Sequence, residues 1–375
     1  MKQTLVRVAA GALALVALVA VAGSQTPAFT GAPSADGRYA NLYPFQLPTL
    51  GDLADWYWRW SRDGGTKPPP GGFESIPVRQ TDLVYLRENR SDTTATWVGH
   101  ATVLLQLAGL NVLTDPQFSL RASPFAFLGP ERKVRVPFTI AEGPHVDVVL
   151  ISHNHYDHLD AASVDALARQ PGGSPLFVVP LGIDRWMRDR GIERVVAMDW
   201  WNAREVPSTT GDRLRITFVP TQHWSSRSPG DRFETLWGGY VVERVRPTQA
   251  VDYRFFFAGD TGYSAGFRDL IHARFDRFDF AAIPIGAYEP NRYLKAQHVN
   301  PEEAVRIDRD LDVRQSMGIH WGTFVLTTEP FDQQPKDLAI AREKAGLPPE
   351  AFVTFEHGET RVLESAGRWT PAAGR

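Results

Sequence analysis

The chain has 375 residues, of which 43% are hydrophobic and 22% are charged, a balance typical of a folded globular protein and not of a disordered one. Its formal net charge of −3 gives no general attraction to polyanions, so we expect no nucleic-acid partner. It contains no cysteine, which excludes disulfides, thiolate metal ligands and a cysteine nucleophile. Any transition-metal site must therefore be built from His, Asp and Glu.

The first 23 residues have the layout of a secretory signal peptide or a membrane anchor. Lys2 and Arg7 precede an uncharged apolar run over residues 8–22, in which Ala20-x-Ala22 offers a cleavage site. The run is shorter than the roughly 20 apolar residues of a comfortable membrane span, but an uncleaved anchor stays open. We therefore expect an exported protein, in the periplasm or on the outer face of the cytoplasmic membrane.

Residues 24–90 are predicted to form a linker and an N-terminal extension, because Pro, Gly and Ala dominate its first part. One short amphipathic helix is expected within it, since four apolar side chains fall at helical spacing: Leu53, Trp56, Tyr57 and Trp60. Arg59 and Arg62 flank this face, so the helix could lie on a membrane surface. Packing against the protein's own core is the commoner arrangement, and we favour it.

Residues 91–375 are predicted to form one layered α/β domain with buried sheets. Apolar runs closed by turn residues predict strands over 94–98, 103–107, 110–114, 147–152, 176–179, 214–219, 239–243, 254–258, 280–284 and 316–319. Helical patterns cover 161–169, 183–190, 301–310 and 336–345. The run at 147–152 is almost continuously apolar, which indicates a strand covered on both faces.

A dense group of potential metal ligands follows this buried strand, in the motif His153-x-His155-x-Asp157-His158. In an extended stretch, His153 and His155 point the same way, because side chains alternate with a period of two, so both could hold one ion. Asp157 and His158 come directly afterwards and could face a second ion. Buried His and Asp at this density are costly unless a metal or strong hydrogen bonds satisfy them, which disfavours a solvated polar loop.

Three more residues of ligand type follow later predicted strands: His223 after 214–219, Asp260 after 254–258 and His320 after 316–319. Alone, each would be interpreted as a core or surface residue. As a set beside the first motif, they favour ligands that converge on one rim of the sheets. Two ions held in this way can share a hydroxide at neutral pH, which predicts a dinuclear metal hydrolase that needs no serine or cysteine nucleophile.

Longer strings around these residues carry a family resemblance: residues 96–102, Leu113-Thr114-Asp115-Pro116, residues 150–160, residues 258–263, residues 284–290, Gln297-His298-Val299 and residues 319–323. Through them the chain resembles the metallo-β-lactamase superfamily, and within it the N-acylphosphatidylethanolamine-hydrolysing phospholipase D family. The resemblance covers roughly residues 94–356 and does not extend to the residues before them.

The resemblance implies an α/β fold, a four-layer αββα sandwich with two zinc ions at one edge. The implied ligand sets are His153, His155 and His223 for one ion and Asp157, His158 and His320 for the other, with Asp260 bridging both. Asp157 and Asp260 therefore count as catalytic residues, whereas Asp115 would steady the ligand loop without binding metal. Iron or manganese in place of zinc stays open, because His and Asp ligands suit all three metals.

Substrate contacts are expected from two loops. His298 could hold a substrate phosphate or assist the leaving group as a catalytic residue, and a purely structural histidine is an equal alternative. Gln297 and Arg121 are candidate substrate-binding residues. Arg121 shares its loop with three more basic residues, namely Arg132, Lys133 and Arg135. We interpret this loop as solvated in preference to a phosphate or lipid site, and His100, in a tight turn, as structural.

Three functions remain open at this point. The first is a zinc phosphodiesterase that cleaves N-acyl phosphatidylethanolamine or a related phospholipid, with association to a membrane surface as an open alternative. The second is a hydrolase of the same fold with another small substrate, such as a lactone, a β-lactam or a different phosphodiester. The third is a non-catalytic envelope protein stabilised by metal, which the complete ligand set disfavours. The oligomeric state cannot be inferred from these patterns.

Overall fold

Two β-sheets stacked face to face form the centre of the protein, in a computed structural model that describes residues 31–62, 64–363 and 369–371. From Ala32 onward the described residues belong to one unit. The predicted leader over residues 1–23 lies outside the described residues. In the part of the chain that the structure describes, no helix has the length and apolar character needed to cross a membrane.

One sheet has eight strands, most of them from the first half of the chain. They are β3 (Thr94–Gly99), β4 (Thr102–Leu107), β5 (Leu110–Thr114), β6 (Val148–Leu150), β7 (Leu176–Pro180), β8 (Val195–Met198), β16 (Thr360–Leu363) and β17 (Trp369–Pro371). Their order is β17-β16-β3-β4-β5-β6-β7-β8. Strands β3 to β5 are antiparallel, and β5 to β8 are parallel.

The other sheet has seven strands from the second half. They are β9 (Ala203–Pro207), β10 (Arg213–Val219), β11 (Gly239–Val245), β12 (Val251–Phe257), β13 (Phe280–Pro284), β14 (Ser316–Ile319) and β15 (Phe352–Thr354), paired in the order β15-β14-β13-β12-β11-β10-β9. It repeats the same plan, with antiparallel strands β9 to β12 followed by parallel strands β12 to β15. A separate hairpin pairs β1 (Ser34–Ala35) with β2 (Arg38–Tyr39).

The described residues also form eight α-helices. They are α1 (Leu50–Arg62), α2 (Leu83–Glu88), α3 (Ala161–Ala168), α4 (Ile183–Arg188), α5 (Ala273–Phe275), α6 (Asn291–Leu294), α7 (Pro301–Asp310) and α8 (Gln333–Lys344), with a 3₁₀ turn at Phe73–Ser75 and a π-helical turn at Phe267–His272. Helix α7 begins as its sequence predicts, because Asn300 and Glu303 form a reciprocal capping box and Pro301 occupies the first turn.

Three hydrophobic cores show that the layers are helix, sheet, sheet and helix. The central core lies between the sheets and joins Val103, Leu105 and Leu150 of one sheet to Phe218 and Phe257 of the other. One outer core packs α7 and α8 on the seven-stranded sheet, and the other packs α3 and α4 on the eight-stranded sheet. The predicted four-layer αββα sandwich is therefore confirmed.

Most predicted elements occur within a few residues of their expected bounds. The strand expected over 147–152 is shorter, because the backbone N–H of Ser152 donates to the Asp115 carboxylate and leaves the ladder. Seven of the described strands escaped prediction, namely β1, β2, β8, β9, β15, β16 and β17. Strand β9 illustrates the reason, since it is an edge strand whose residues are mostly exposed and carry little apolar periodicity.

Helix α1 is present where the sequence predicted a short amphipathic helix, but its burial differs from the expectation. None of its residues is buried, and Tyr57 and Trp58 are 66% and 67% exposed. Trp56 and Trp60 are partly covered, and the Trp60 indole donates to Thr66. The favoured interpretation, a face packed on the protein's own core, is therefore not confirmed. Trp56 and Trp60 are only partly covered and join none of the three cores, and Leu53 and Tyr57 are exposed.

Candidate metal centre

The predicted ligand motif lies in the loop that follows β6, at the rim where both sheets end. His153 is 1% exposed, and its Nε2 lies 2.9 Å from Nδ1 of His155. His223 lies four residues after β10 and approaches from the other sheet. Its Nε2 is 3.3 Å from Nδ1 of His155. These three histidines, here called cluster A, present one nitrogen each within 4.8 Å of one another.

A second group, cluster B, consists of Asp157, His158 and His320. Oδ2 of Asp157 lies 3.5 Å from Nε2 of His158 and 3.4 Å from Nε2 of His320. His320 follows β14 directly and has a left-handed backbone with φ of 62°. Its backbone N–H donates to the His100 carbonyl at 2.9 Å, which fixes this unusual turn.

One oxygen lies between the two clusters. Oδ2 of Asp260, three residues after β12, is 3.2 Å from Nε2 of both His158 and His320 in cluster B. The same atom is 3.8 Å from Nε2 of His223 and 4.0 Å from Nε2 of His153 in cluster A. A single carboxylate oxygen can therefore reach cations held by either cluster.

Unsatisfied polar atoms indicate what this site is built to hold. Within the described residues, buried atoms without a hydrogen-bond partner gather here: Nε2 of His155, Nε2 of His158, Nδ1 and Nε2 of His320, Nδ1 of His298 and Oδ1 of Asp260. Asp260 Oδ2 lies close to two of these nitrogens, but not in the geometry of a hydrogen bond. Unpaired buried polar atoms are costly. Divalent cations bound by nitrogen and carboxylate oxygen would satisfy them, so the donor set fits a metal site.

Ionisation in the site reflects burial balanced against charge. Burial lowers the pKa of all three histidines of cluster A, that of His155 to about 4. In cluster B burial is outweighed by Asp260 and Asp157, which raise the pKa of His158 well above its ordinary value and that of His320 to about 9. Burial also opposes ionisation of Asp157 and Asp260, but His158 and its neighbours hold both pKa values well below the usual range. At pH 7 both carboxylates are thus charged and cluster A is neutral, which are the forms that bind metal, whereas His158 and His320 hold protons that a bound cation would displace.

Asp115, at the end of β5, steadies the ligand loop. It is fully buried, and its carboxylate accepts hydrogen bonds from the Ser152 backbone N–H at 2.7 Å and the Ser152 hydroxyl at 2.6 Å. Its Oδ2 also lies 2.7 Å from Nδ1 of His158. This contact turns Nε2 of His158 towards cluster B, as expected for a residue that orients a ligand from behind.

The predicted substrate residues are distributed unevenly around the centre. Nδ1 of His298 lies 3.8 Å from Oδ2 of Asp260, which places this ring beside both clusters. Gln297 is buried, and its backbone carbonyl lies 2.9 Å from Nδ1 of His223, a contact that the side-chain prediction did not foresee. The Arg121 guanidinium instead donates within its own loop, to the carbonyls of Ala126 and Gly129.

Arg121 is therefore engaged in holding a loop, and the structure does not bring its charged group to the clusters. The basic loop is also less solvated than expected. Arg132 is 9% exposed, and its guanidinium donates to the side chain and backbone carbonyl of Gln117. The expectation of a solvated loop is wrong for this residue, because its donors satisfy carbonyls of the loop interior.

Three contacting residues were missed or underrated in the sequence. His100 was interpreted as structural, yet its Nε2 lies 3.0 Å from Oδ2 of Asp157. The Asn41 side chain donates to the His223 carbonyl at 2.7 Å and accepts from the His223 backbone N–H at 3.1 Å. Arg227 donates to the carbonyls of residue 154, inside the ligand motif, and residue 159, directly after it. For Asn41 and Arg227 no local pattern gives a signal, since each acts across the fold.

A cavity of about 380 Å³ opens onto the clusters. Its polar floor includes His155, Asp157, Asp260, His298 and His320. Its walls are largely apolar and include Leu47, Pro48, Leu53, Trp56, Leu294 and Leu326. A larger cavity of about 1250 Å³ lies on the other side of Tyr156, among arginines and carboxylates. The smaller one alone exposes ligand-type atoms of both clusters in the described chain, and we take it as the candidate active site.

Comparison with known proteins agrees with this architecture. The model of the β-lactamase superfamily domain matches residues 110–321. The chain is 38% identical over 285 residues to N-acyl-phosphatidylethanolamine-hydrolyzing phospholipase D 1 of Caenorhabditis elegans, covering 73% of this chain and 76% of that protein. An uncharacterized protein of Mycobacterium tuberculosis is 36% identical over 368 residues, or 92% of each chain. The mitochondrial phospholipase D of the same description in Saccharomyces cerevisiae is 34% identical, over 72% of this chain and 56% of its own length.

Solved structures show the same fold at lower identity. An isothiocyanate hydrolase from Delia radicum gut bacteria superposes with a TM-score of 0.53 at 21% identity, over 71% of this chain and 98% of the other. A metallo hydrolase from Ignicoccus hospitalis gives 0.52 at 20% identity, over 73% and 99%. The chain therefore belongs to the metallo-β-lactamase superfamily, as a metal-dependent hydrolase related to the N-acylphosphatidylethanolamine-hydrolysing phospholipases D.

Proposed function

We propose that this protein is a dinuclear zinc phosphodiesterase that cleaves N-acyl phosphatidylethanolamine or a related glycerophospholipid. The observation that carries the proposal is the position of Asp260 Oδ2, between two ligand clusters on the floor of an apolar cavity. Its support from relatives is the 38% identity to a phospholipase D whose name specifies this substrate. Water adds to phosphorus, the bond to the N-acylethanolamine oxygen breaks, and phosphatidate is the other product.

The residues would divide the work by position. Cluster A would hold one ion through three neutral imidazoles, cluster B would hold the other, and Asp260 would bridge them. Divalent ions supply Lewis acidity here, since they polarise a phosphoryl oxygen and make water acidic enough to serve as nucleophile at neutral pH. Asp115 keeps His158 in the tautomer and orientation that aim Nε2 at its cluster. Asp157 and Asp260 thus act catalytically by fixing where the reacting groups meet.

His298 is the residue best placed to contact the substrate itself. Its side chain lines the cavity 3.8 Å from the proposed bridging carboxylate, and its Nδ1 is buried without a partner. We assign it to the phosphate or the leaving-group oxygen of the bound diester. Gln297 lines the same wall, and its backbone carbonyl orients His223.

The test is hydrolysis of N-acyl phosphatidylethanolamine by the zinc-loaded full chain, with release of phosphatidate and N-acylethanolamine followed by mass spectrometry. Turnover that disappears in Asp157→Asn supports the proposal. Turnover of lactones or β-lactams, without turnover of the phospholipid, would refute the proposed substrate but not the assignment as a metal-dependent hydrolase. Metal retention without turnover of any ester tested would favour a non-catalytic, metal-stabilised protein.

Metal identity and number are tested separately. Elemental analysis of protein purified without chelator should give two zinc ions per chain. Two iron or manganese ions would support the dinuclear centre but refute zinc as its metal, because His and Asp ligands suit zinc, iron and manganese. One ion per chain would contradict the role proposed for Asp260.

We also propose that the protein works at a lipid surface on the outside of the cell's cytoplasmic membrane. In the described part of the chain, eight of the ten exposed large hydrophobic residues belong to α1 or to the loop at 120–128: Leu50, Leu53, Tyr57, Trp58, Leu120, Phe125, Phe127 and Leu128. Both elements also line the catalytic cavity, through Trp56 and Ala122. Large exposed apolar patches of this kind favour membrane contact. Sedimentation with phospholipid vesicles and cell fractionation test the two parts; a protein found only in the cytosolic fraction would refute export.

A further inference from the structure

The N-terminal segment before the superfamily domain is attached directly to the metal centre. The Asn41 side chain pairs with both the backbone N–H and the carbonyl of His223, as a neighbouring β-strand would. Its Oδ1 also accepts from the Trp237 indole at 3.3 Å. One amide therefore holds a proposed ligand from outside the matched domain, which begins at residue 110.

Beyond Asn41 the same segment forms one wall of the catalytic cavity. Leu47, Pro48, Leu53 and Trp56 line it, and Leu294 and Leu326 also contribute apolar surface. We call the first four residues the N-terminal wall. The polar floor and the apolar wall belong to one cavity, so a ligand with a phosphate on the floor must place its next groups against apolar side chains.

The wall is held in position by charge. The Asp55 carboxylate accepts from the Arg292 guanidinium at 2.6 Å and from the Tyr293 hydroxyl at 2.8 Å. Both partners belong to α6 and lie six and five residues before His298. Thr49, directly before α1, and Asp52 in its first turn hydrogen-bond to each other. Helix α1 is thus tied to the segment that carries the proposed phosphate contact.

We infer that the N-terminal wall is the subsite for an apolar chain of the substrate and sets the preference for chain length. The inference rests on the proposed function for the identity of the chain, which would be an acyl chain of the phospholipid. The occupant follows from the shared cavity, because the four wall residues line the same 380 Å³ space as His155, Asp157 and the other ligand-type side chains. Each methylene that leaves water for such a wall strengthens binding up to about fourfold when it is fully buried.

The experiment measures binding of butyl, octyl and dodecyl phosphate to the zinc-loaded full chain by calorimetry. The phosphate head occupies the floor in every case, so the ratio of affinities isolates the contribution of the wall. We expect octyl phosphate to bind at least tenfold more tightly than butyl phosphate. Trp56→Ala and Leu53→Ala should each reduce this ratio at least threefold, and Trp56→Phe should restore most of it.

Ile340→Ala is the control, because Ile340 is also an exposed apolar residue of a helix, at 52% exposure on α8, but belongs neither to the wall nor to the apolar patch proposed to contact lipid. Its ratio should equal that of the unchanged protein. An unchanged ratio in both wall variants, or no gain from butyl to octyl in the unchanged protein, would overturn the inference. The outcome is independent of the phospholipid assay: lost turnover of N-acyl phosphatidylethanolamine with an intact ratio would refute the proposed function and keep the subsite.

Discussion

Replacing Arg227 should loosen the ligand loop and weaken metal binding. Its guanidinium donates to the Asn154 carbonyl at 2.9 Å and to the Leu159 carbonyl at 2.7 Å, so it links a backbone carbonyl inside the motif to the one directly after it. It also lies 4.0 Å from the centre of the Tyr156 ring, whose hydroxyl donates back to the Arg227 carbonyl. Burial lowers the pKa of this guanidinium, but it stays charged at neutral pH.

The size of the effect follows from these contacts. Two hydrogen bonds from a charged donor and one cation–π contact contribute together about 4 kcal/mol. Asp115 still holds the same loop through Ser152, so only part of this free energy fixes the ligands. We therefore expect zinc affinity to fall roughly 10- to 100-fold in Arg227→Ala, the range usual for residues that support metal ligands.

The assay is competition for zinc with a chromogenic chelator, beside urea unfolding of the metal-free protein. Arg190→Ala is the matched control, because Arg190 pairs with Asp165 and packs on Trp186 without contacting the ligand loop in the described contacts. It should lower stability only slightly and leave zinc affinity unchanged. If Arg227→Ala loses stability but keeps its zinc affinity within twofold, the loop geometry does not depend on the two Arg227 hydrogen bonds and our reasoning is wrong.

Three further changes test other parts of the structure. His100→Ala removes the contact at 3.0 Å to Asp157 and the packing on His320, so we expect bound metal to fall from two ions towards one by elemental analysis, whereas two retained ions would contradict it. Burial raises the pKa of Asp308 from 3.8 to about 7, so the native state keeps a proton that the unfolded chain loses, and this contribution to stability is present at low pH and lost as pH rises to about 7. Between pH 5.5 and 7 the loss is about 2 kcal/mol; in Asp308→Asn, which can still bond to Ser316, urea unfolding at pH 5.5 and 8 should lack it, and an equal slope in both proteins would refute the assignment. Chelation should lower the melting temperature by leaving the buried ligand nitrogens unpaired, and zinc should restore it.

The fold was predictable mainly where burial leaves a mark on the local sequence. Residues 148–151 and 255–258 are continuous apolar runs because strands β6 and β12 have parallel neighbours and are buried there. Edge strand β9 is exposed, and β16 owes its place to pairing with β3, far away in sequence. Such strands form through tertiary contacts, which no short window of sequence records.

The candidate site divides along the same line. The residues of clusters A and B follow predicted strands, so their residue type and their position after a strand made them predictable. The structure brings them together around Asp260. The role of His100 was hidden, because a histidine in a tight turn gives no sign of the carboxylate that it will meet 57 residues later. Arg121 failed for the opposite reason: an exposed basic loop suggests an anion site, yet its donors satisfy carbonyls of the loop itself.

The distribution of the clusters over the two sheets has a consequence for how the protein matures. His153 and His155 follow the eight-stranded sheet, whereas His223, Asp260 and His320 follow strands of the seven-stranded one. Neither half of the chain therefore contains all the ligands of cluster A or all those of cluster B. Metal capture would have to wait until the two sheets have docked, so a bound ion would report that both halves are folded and correctly apposed. A fragment that ends before residue 214, or a chain with its sheets misaligned, would lack a complete ligand set and would not bind the two proposed ions.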